Sequence, residues 1–449
     1  MSWLKHHLFS LGDRQLLSDG VNQYNYTDLH HQINIYMSDL DTHLKPGEVV
    51  GMLADYNFHA VALFLALLEK KVIIVPIVSQ NPVEINKRLH VASCTVTAYI
   101  NDGILKLTRN NNSSNHPLVL NLITSGRSGL ILFSSGSTGE PKAMIHDLDT
   151  LVESYHGKKL KHLNILVFLM FDHIGGLNTL LNIISTGAFM VLPANRNPDY
   201  IASLIQKYHV HVLPTSPTFL NMMLMDKVNE RYDLSSLRII TYGTETMPKS
   251  LLQKLKRVFT KTKLVQTFGT SETGIIQTQS RSSESLEIKL DDPNIEYKVV
   301  AGELWLRSKT QILGYLNASM DSFTDDGWFQ TGDLVEEKEN GYIQIIGRNK
   351  EVINVGGLKV LPMEVESVLL EMDEVSDCMV YSEKSAITGQ IVVADIVINR
   401  HVSPKEARAM IRKFCKDRLE EYKVPIKINF TEKTNFNERF KKIRLNKDS

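Results

Sequence analysis

Short apolar runs alternate with segments of helical spacing along most of the chain, and this alternation restricts the fold more than any other feature. Residues 49–53 and 72–76 are predicted to be strands, and residues 58–68 between them have apolar side chains at helical spacing. Strand–helix–strand order produces parallel strands joined by right-handed crossovers. The pattern returns between residues 118 and 300, where the predicted strands are 165–171, 188–192, 211–214 and 237–242. We therefore expect an α/β fold with a large, doubly wound N-terminal domain that binds ligands at the carboxyl ends of its strands.

The pattern changes after about residue 300. Short β-rich pieces at 303–307 and 342–346 predict a β-rich section at the end of the large domain. A compact α+β unit follows, with predicted helices at 363–371 and 404–421 and predicted strands at 378–381 and 391–398. We expect two domains, residues 1–348 and a small, mobile C-terminal domain of residues 349–449.

Composition excludes several classes of function. Lys plus Arg is 50 and Asp plus Glu is 50, so no net charge attracts nucleic acid or an anionic membrane. The hydrophobic fraction of 43% rules out disorder over most of the length. Three scattered cysteines do not make a disulfide framework, and no apolar run is long enough to span a membrane. These features favour a reducing, cytoplasmic location without a membrane span.

The densest local motif directly follows an apolar run at 130–133 and reads Ser134-Ser-Gly-Ser-Thr-Gly-Glu-Pro-Lys142. A loop of Gly, Ser and Thr that ends in Lys offers backbone N–H groups, hydroxyls and a cation to phosphate oxygens. It is not a Walker loop, because Pro141 occupies the position of the required second glycine. The residues alone leave two interpretations, a nucleotide-binding loop and a flexible turn.

This loop resembles the phosphate-binding signature of the adenylate-forming superfamily, which includes acyl-CoA synthetases, nonribosomal peptide adenylation domains and firefly-type luciferases. Further motifs of that superfamily follow in the same order, from Tyr26-Thr-Asp-Leu29 to the C-terminal lysines. The resemblance implies that ATP and Mg²⁺ are used. It also implies that the nucleotide is contacted by Ser134, Ser135, Gly136, Ser137, Thr138, Gly139 and Lys142.

Gln266-Thr-Phe-Gly-Thr-Ser-Glu-Thr273 resembles the superfamily segment usually written Tyr-Gly-x-Thr-Glu. The resemblance implies that Glu272 coordinates the magnesium, that Ser271 offers a hydroxyl to phosphate and that Phe268 packs near the adenine. A carboxylate suits a hard cation, and a flat aromatic ring suits a base. Gly269 is expected at the nucleotide and Thr270 at the acid.

Tyr242-Gly-Thr-Glu-Thr-Met-Pro248 takes the place of a Gly-Gly-Glu/Ala-x-x-Pro segment that walls the adenine and acyl sites in the superfamily. The resemblance places Gly243 at the acid and Thr244 at the nucleotide. Thr244 stands where the superfamily has its second glycine, so a side chain is added where backbone normally lies open. Phe171-Asp-His-Ile-Gly-Gly176 resembles the acyl-pocket stretch, where His173 would gate the carboxylate.

Two later motifs resemble the ribose site and the interdomain junction. Asp333, in Gly327-Trp-Phe-Gln-Thr-Gly-Asp-Leu334, matches the carboxylate that accepts both ribose hydroxyls through charge-assisted hydrogen bonds. Arg348 would reach the ribose, and Lys350 falls at the hinge of the superfamily. Gly356 and Gly357 would let a pantetheine arm pass close to the backbone, where a Cβ would obstruct it.

The C-terminal segment departs from the superfamily pattern. There the superfamily has Gly-Lys, whose lysine binds the carboxylate and phosphate oxygens during adenylation. Here the chain reads Phe440-Lys-Lys-Ile443, so that alignment of Lys442 with the lysine puts Lys441 in place of the glycine. We take Lys442, Glu272 and Lys142 as the catalytic residues and keep Lys441 as the alternative to Lys442.

The resemblance implies an enzyme that activates a small carboxylic acid as an acyl-adenylate, releases pyrophosphate and passes the acyl group to a thiol. CoA is the first expected acceptor. A second interpretation is a ligase that charges the phosphopantetheine of a separate acyl carrier protein. From another class, a non-catalytic adenylate-binding protein would retain the fold without the reaction. The identity of the acid is left open by the sequence.

Overall fold

The computed structural model describes residues 2–113, 115–134, 141–398 and 403–444. Two seven-stranded sheets form most of the N-terminal domain. The first sheet is parallel except for its last pair of strands. In spatial order its strands are Lys263–Gln266, Ile239–Tyr242, Val212–Thr215, Asn164–Leu166, Phe189–Val191, Gln15–Ser18 and Gln23–Asn25.

The second sheet has a parallel centre and antiparallel edges. In spatial order its strands are Gly314–Tyr315, Lys142–Asp147, Gly129–Ser134, Ile73–Ile77, Val49–Leu53, Val96–Asn101 and Ile104–Arg109. Ten helices belong to the described part of this domain: Ser2–Ser10, Tyr26–His43, Phe58–Glu69, Pro82–Val91, Pro117–Thr124, Leu148–Glu153, Ile174–Thr186, Pro198–Lys207, Pro217–Met225 and Lys249–Val258.

The main core lies between the two sheets. Helix Phe58–Glu69 is apolar on nearly all sides, and ten of its twelve residues are buried. A helix without a polar face cannot lie at the surface. It shares one hydrophobic cluster with helix Ile174–Thr186 and with inward-facing residues of both sheets. The two sheets therefore enclose these helices, and this packing fixes the position of helix Ile174–Thr186.

A β-rich section follows the second sheet, as the sequence predicts. Its antiparallel six-stranded sheet has the order Thr278–Ser280, Glu287–Leu290, Ile343–Arg348, Phe329–Glu337, Glu303–Ser308 and Ile295–Val300. A short hairpin of Phe268–Thr270 and Gly274–Ile276 precedes it. Single-turn 3-10 helices lie at Val228–Glu230, Glu339–Gly341, Asn349–Glu351 and Glu421–Lys423.

The C-terminal domain is a five-stranded sheet packed against two helices. Its strands are Leu358–Val360, Ile353–Val355, Gly389–Ile398, Val375–Ser385 and Lys427–Phe430, and its helices are Pro362–Leu369 and Pro404–Lys416. The domain has a hydrophobic cluster of its own. The turn Asn349–Glu351 connects the six-stranded sheet of the β-rich section to the sheet of the C-terminal domain. The sequence predicts the domain boundary at the start of this turn, after residue 348.

The structure shortens some predicted elements and lengthens others. The strand predicted at 165–171 ends at Leu166, because the buried residues after it leave the sheet and lead to the start of helix Ile174–Thr186. The helix predicted at 404–421 ends at Lys416. The strand predicted at 378–381 extends over Val375–Ser385.

Candidate active site

A cavity of about 320 Å³ lies where the first sheet, the β-rich section and the C-terminal domain meet. It adjoins the carboxyl ends of Val212–Thr215, Ile239–Tyr242 and Lys263–Gln266, where a doubly wound sheet is expected to bind ligands. The sequence-predicted residues that line it are Ser134, Lys142, His173, Gly243, Thr244, Phe268, Gly269, Thr270, Ser271, Glu272, Asp333, Arg348 and Lys350. Ser135, Gly136, Ser137, Thr138 and Gly139 lie outside the described residues.

Asp333 and Arg348 form an ion pair on neighbouring strands of the β-rich section, in which Asp333 is buried and Arg348 is partly exposed. They stand opposite each other in the antiparallel register, and Arg348 Nε donates to Asp333 Oδ1 at 2.9 Å. Asp333 is only 3% exposed, and its Oδ2 has no hydrogen-bond partner within the described ranges. Burial raises the pKa of Asp333, and the Arg348 charge opposes that rise. A buried carboxylate oxygen without a partner suits a hydroxyl donor from a ligand.

Glu272 is held by an aromatic hydroxyl. Tyr315 donates its OH to Glu272 Oε1 at 3.1 Å, and burial raises the pKa of Tyr315, which keeps it a donor. Lys142 Nζ lies 5.3 Å from the centroid of the Tyr315 ring. Strands Gly314–Tyr315 and Lys142–Asp147 pair in the second sheet, so the fold brings this cation and this carboxylate to one wall of the cavity.

His173 caps the helix that begins beside the cavity. Its Nδ1 accepts a hydrogen bond from the backbone N–H of Gly175 at 3.1 Å. Burial lowers the pKa of His173 well below its usual value, and the Lys441 and Arg439 charges lower it further. The imidazole is therefore neutral at physiological pH. A Cβ at Gly176 would lie 2.0 Å from the Met170 carbonyl oxygen, so close packing requires glycine there.

Thr244 adopts the backbone conformation of the glycine that it replaces in the superfamily pattern. Its φ is 72°, in the left-handed region, and its Oγ1 is buried without a partner in the described part of the chain. Glu245, which the sequence did not single out, accepts a hydrogen bond from Thr218 N at 2.7 Å and also lines the cavity. The Thr244 side chain therefore lines the cavity at a position where the superfamily pattern has no side chain.

The two C-terminal lysines occupy different places. Lys441 lines the cavity, and burial lowers its pKa to about 8, with Arg348 and Arg439 as further causes. Lys442 does not line it, because its Nζ donates to Asp377 Oδ1 at 3.0 Å and to the Cys378 carbonyl oxygen at 2.5 Å. The structure thus brings the alternative lysine, not the preferred one, to the other predicted site residues.

Phe440 explains the one-residue shift. Its φ is 54°, in the left-handed region that favours glycine. Phe440-Lys441 therefore takes the backbone conformation expected of the superfamily Gly-Lys pair. No glycine in the sequence marks this position, so the alignment of the residues alone favoured Lys442.

Gly356 and Gly357 are not part of the cavity. Both have positive φ, 58° and 92°, and form the turn between Ile353–Val355 and Leu358–Val360. Gly357 donates its backbone N–H to Asn354 Oδ1 at 2.9 Å. The predicted hinge residue Lys350 lines the cavity and is exposed.

Sequence reasoning missed three charged or polar residues around the site besides Glu245. Arg439 lines the cavity, and Asp172 is buried beside it, with Asp172 Oδ2 3.4 Å from Arg439 Nη2. Tyr315 is the third, and it donates its hydroxyl to Glu272. Asp172 lies inside a quoted motif and Arg439 directly precedes one, so for these two the missing information was side-chain direction.

Two family models match the chain that forms this cavity. The model described as AMP-binding enzyme matches residues 90–316, and that of the AMP-binding enzyme C-terminal domain matches residues 364–441. The chain belongs to the AMP-binding enzyme family. This confirms the resemblance to adenylate-forming enzymes that the motifs indicated.

Curated relatives of this AMP-binding enzyme are CoA ligases. Indoleacetate–CoA ligase of Aromatoleum aromaticum is 29% identical over 328 residues, which are 67% of this chain and 63% of that protein. Acyl-CoA synthetase 7 of Caenorhabditis elegans is 29% identical over 328 residues, which are 66% of this chain and 61% of that protein. The alignments therefore span less than two thirds of the length of these relatives.

The fold of this AMP-binding enzyme also has solved counterparts. The crystal structure of an anthranilate CoA ligase in complex with anthranoyl-AMP superimposes with a TM-score of 0.82 at 21% identity. The superposition covers 98% of this chain and 95% of that one. It confirms the large N-terminal and small C-terminal domains. Among the helices that the structure describes, none combines the length and apolar character needed to cross a membrane.

Proposed function

We propose that this AMP-binding enzyme joins a small carboxylic acid to the thiol of CoA, with conversion of ATP to AMP and pyrophosphate. One observation carries the proposal: a single cavity contains the unpartnered Asp333 Oδ2, the Glu272 carboxylate and the Lys441 ammonium group. These groups suit the ribose, the metal–phosphate unit and the reacting carboxylate respectively.

The nucleotide would bind along one side of the cavity. Asp333 Oδ2 would accept a ribose hydroxyl, while Arg348 keeps the other carboxylate oxygen in place. Phe268 would pack against the adenine, and the segment from Ser134 to Lys142 would contact the phosphates. Lys142 then lies at the phosphate end with Glu272.

In the first half-reaction, a carboxylate oxygen of the acid attacks the α-phosphorus of ATP, and the bond to pyrophosphate breaks. Lys441 would hold the attacking carboxylate beside the phosphate, and Lys142 would neutralise negative charge on the leaving pyrophosphate. His173, being neutral, adds no positive charge that competes with Lys441. The product is an acyl-adenylate.

The residues present fit Mg²⁺ held mainly by ATP. Glu272 offers one carboxylate to the cavity, and no group of three or more His, Cys, Asp or Glu residues in the described ranges forms a metal site. Mg²⁺ keeps several waters and binds through one or two carboxylates plus substrate phosphates. When bound, the Mg²⁺ ion would neutralise part of the negative charge of the ATP phosphates.

In the second half-reaction, the thiol sulfur attacks the acyl carbonyl carbon, and AMP leaves as its carbon–oxygen bond breaks. Gly356 and Gly357 lie away from the cavity in the present arrangement. We propose that the C-terminal domain rotates at the turn Asn349–Glu351, which contains Lys350, removes Lys441 and brings the two glycines to the acyl-adenylate.

CoA is the acceptor that the relatives favour. Both curated relatives described above are named as CoA ligases or acyl-CoA synthetases. A phosphopantetheine on an acyl carrier protein offers the same thiol, and competition between the two thiols distinguishes them. Three buried free cysteines in the described chain fit a reducing compartment, which supports the cytoplasmic location that we propose.

The test is an ATP–pyrophosphate exchange assay with aliphatic, aryl and amino acids, followed by CoA addition and mass detection of the thioester. We expect exchange that depends on one class of acid. ATP binding without exchange for any acid would favour the non-catalytic adenylate-binding protein.

A further inference from the structure

Lys441 lies near the tip of a short hairpin, residues 436–442, which we call the lysine hairpin. Phe436 and Lys442 form its antiparallel bridge, and Asn437 N donates to the Lys441 carbonyl oxygen at 2.9 Å. Inside the turn, Asn437 Oδ1 accepts from the backbone N–H groups of Arg439 and Lys441 at 3.0 and 3.1 Å. The shape of the tip is therefore fixed by the hairpin itself.

The base of the lysine hairpin is bound to the C-terminal domain. Asp377 accepts from Lys442 Nζ at 3.0 Å and from Thr434 Oγ1 at 2.5 Å. Asp377 and Lys442 side chains are 10% and 9% exposed, so this pair is largely withdrawn from water. The hairpin must accordingly move with the C-terminal domain.

The tip is bound to the N-terminal domain through Phe440. Its ring centroid lies 5.2 Å from that of Phe168 and 5.3 Å from that of Phe219. Ser216 Oγ donates to the Phe440 carbonyl oxygen at 2.9 Å. The hairpin tip of the C-terminal domain thus packs a partly buried aromatic side chain against a hydrophobic cluster of the N-terminal domain.

The backbone at Phe440 is strained, which glycine would avoid. A Cβ disfavours the left-handed region, and Phe440 has φ of 54° there. Such strain persists only where surrounding contacts compensate for it. The aromatic contacts with Phe168 and Phe219 supply that compensation only while the domains are docked.

Arg439 adds an ion pair across the same interface. Its Nη2 lies 3.4 Å from Asp172 Oδ2, and Arg88 Nη1 donates to the same oxygen at 2.8 Å. Asp172 is 4% exposed and adjoins His173. If the tip of the lysine hairpin left the N-terminal domain, the buried Asp172 carboxylate would keep Arg88 and lose Arg439 as a partner.

We propose that Arg439 and Phe440 are positioning residues that lock the tip of the lysine hairpin into the N-terminal domain and so hold Lys441 at the cavity. The lock favours the adenylate-forming arrangement and opposes the domain rotation that thioester formation requires. Its catalytic consequence rests on the proposed function, whereas the docking itself is measurable without turnover.

The first test measures the distance between the domains. Val83→Cys and Ile387→Cys place labels at side chains that are 76% and 94% exposed, one in each domain, while the native cysteines are buried. In the doubly labelled protein that keeps Arg439 and Phe440, we expect one narrow distribution of the distance between the two labels. Phe440→Gly should add a second, broader population, and unchanged distributions in Phe440→Gly and Arg439→Gln would overturn the proposal.

A matched control separates docking from backbone strain. Asn340 also has a left-handed backbone, with φ of 60°, in a turn of the β-rich section away from the lock. Asn340→Gly relieves strain of the same kind and should leave the distance distribution unchanged. A shift as large as that of Phe440→Gly would contradict a specific role for the hairpin tip.

The second test separates the half-reactions. In Phe440→Gly we expect kcat of ATP–pyrophosphate exchange to fall by about three- to tenfold, the size expected for losing aromatic pairs. The KM for ATP should stay unchanged, because the ribose site at Asp333 is elsewhere, and thioester formation from supplied acyl-adenylate should rise. Phe440→Tyr keeps the aromatic ring and should therefore retain the rate of exchange. Equal losses in both half-reactions of Phe440→Gly would indicate a merely structural role and would contradict the lock. If the wild-type domains are docked but the enzyme activates no acid, the proposed function is refuted and the docking is not.

Discussion

At the scale of single residues, we predict that the pKa of Lys441 sets an upper pH limit for the proposed adenylation. Burial and the nearby Arg348 and Arg439 charges lower this pKa to about 8. The lysine is charged below that pH and neutral above it, so its hold on a carboxylate weakens as the pH rises. We predict that kcat/KM for adenylation falls as the pH passes through about 8.

The variant Lys441→Arg provides the control for this pH profile. Arginine stays charged throughout the accessible range, so any activity that it retains should lack the decline near pH 8. A wild-type decline that persists in Lys441→Arg would assign the titration to another group.

Asp333 is predicted to act on ATP affinity and not on folding. Asp333→Asn removes the charge that accepts the ribose hydroxyl and is expected to raise the KM for ATP on the order of ten- to a hundredfold, about 1.5–3 kcal/mol. The wild type should discriminate against 2′-deoxy-ATP, and the variant should not. Equal use of both nucleotides by the wild type would refute binding of that hydroxyl.

At the scale of elements, the start of helix Ile174–Thr186 depends on close packing at Gly176. Gly176→Ala would place a Cβ 2.0 Å from the Met170 carbonyl oxygen and should lower the free energy of unfolding by more than about 3 kcal/mol. Denaturant unfolding measures this loss.

Gly302→Ala serves as the comparison for Gly176→Ala. It has a strained φ of 81° but open space around the added Cβ, and it should cost only about 1 kcal/mol. A loss for Gly176→Ala no larger than that for Gly302→Ala would mean that a small local movement relieves the contact between the added Cβ and the Met170 carbonyl oxygen.

The sequence predicts the order of elements better than their ends or the direction of their side chains. Strand Val49–Leu53 lies where its apolar run predicts it. Only the first two residues of the run at 165–171 belong to a strand, Asn164–Leu166, because continuous burial does not distinguish a strand from a buried loop. Motif residues such as Asp333 and Glu272 were found because their spacing resembles a known family.

The choice between Lys441 and Lys442 shows what a sequence omits. Both are lysines in one polar segment, and the feature that favours Lys441 is the left-handed backbone of Phe440, a conformation that glycine adopts more readily. The ion pair between Lys442 and Asp377 joins positions that are 65 residues apart. Only the folded chain brings those side chains together.

At the scale of the whole molecule, the arrangement of the two domains corresponds to one half of the proposed reaction. The lysine hairpin places Lys441 in the cavity, while Gly356 and Gly357 remain outside. This single arrangement of the domains cannot bring both Lys441 and the turn with Gly356 and Gly357 to the same acyl group. This geometry is the reason for the proposed rotation of the C-terminal domain between the half-reactions.

The measurement that tests the account most directly compares Lys441→Ala and Lys442→Met in the two separated half-reactions. Lys441→Ala should lose about 10²–10³-fold in ATP–pyrophosphate exchange, as expected when one preorganised donor is removed, yet convert supplied acyl-adenylate and CoA into thioester. Lys442→Met should lose stability through the unpaired Asp377 and retain exchange per folded molecule. Normal exchange in Lys441→Ala, or its loss in folded Lys442→Met alone, would contradict the assignment.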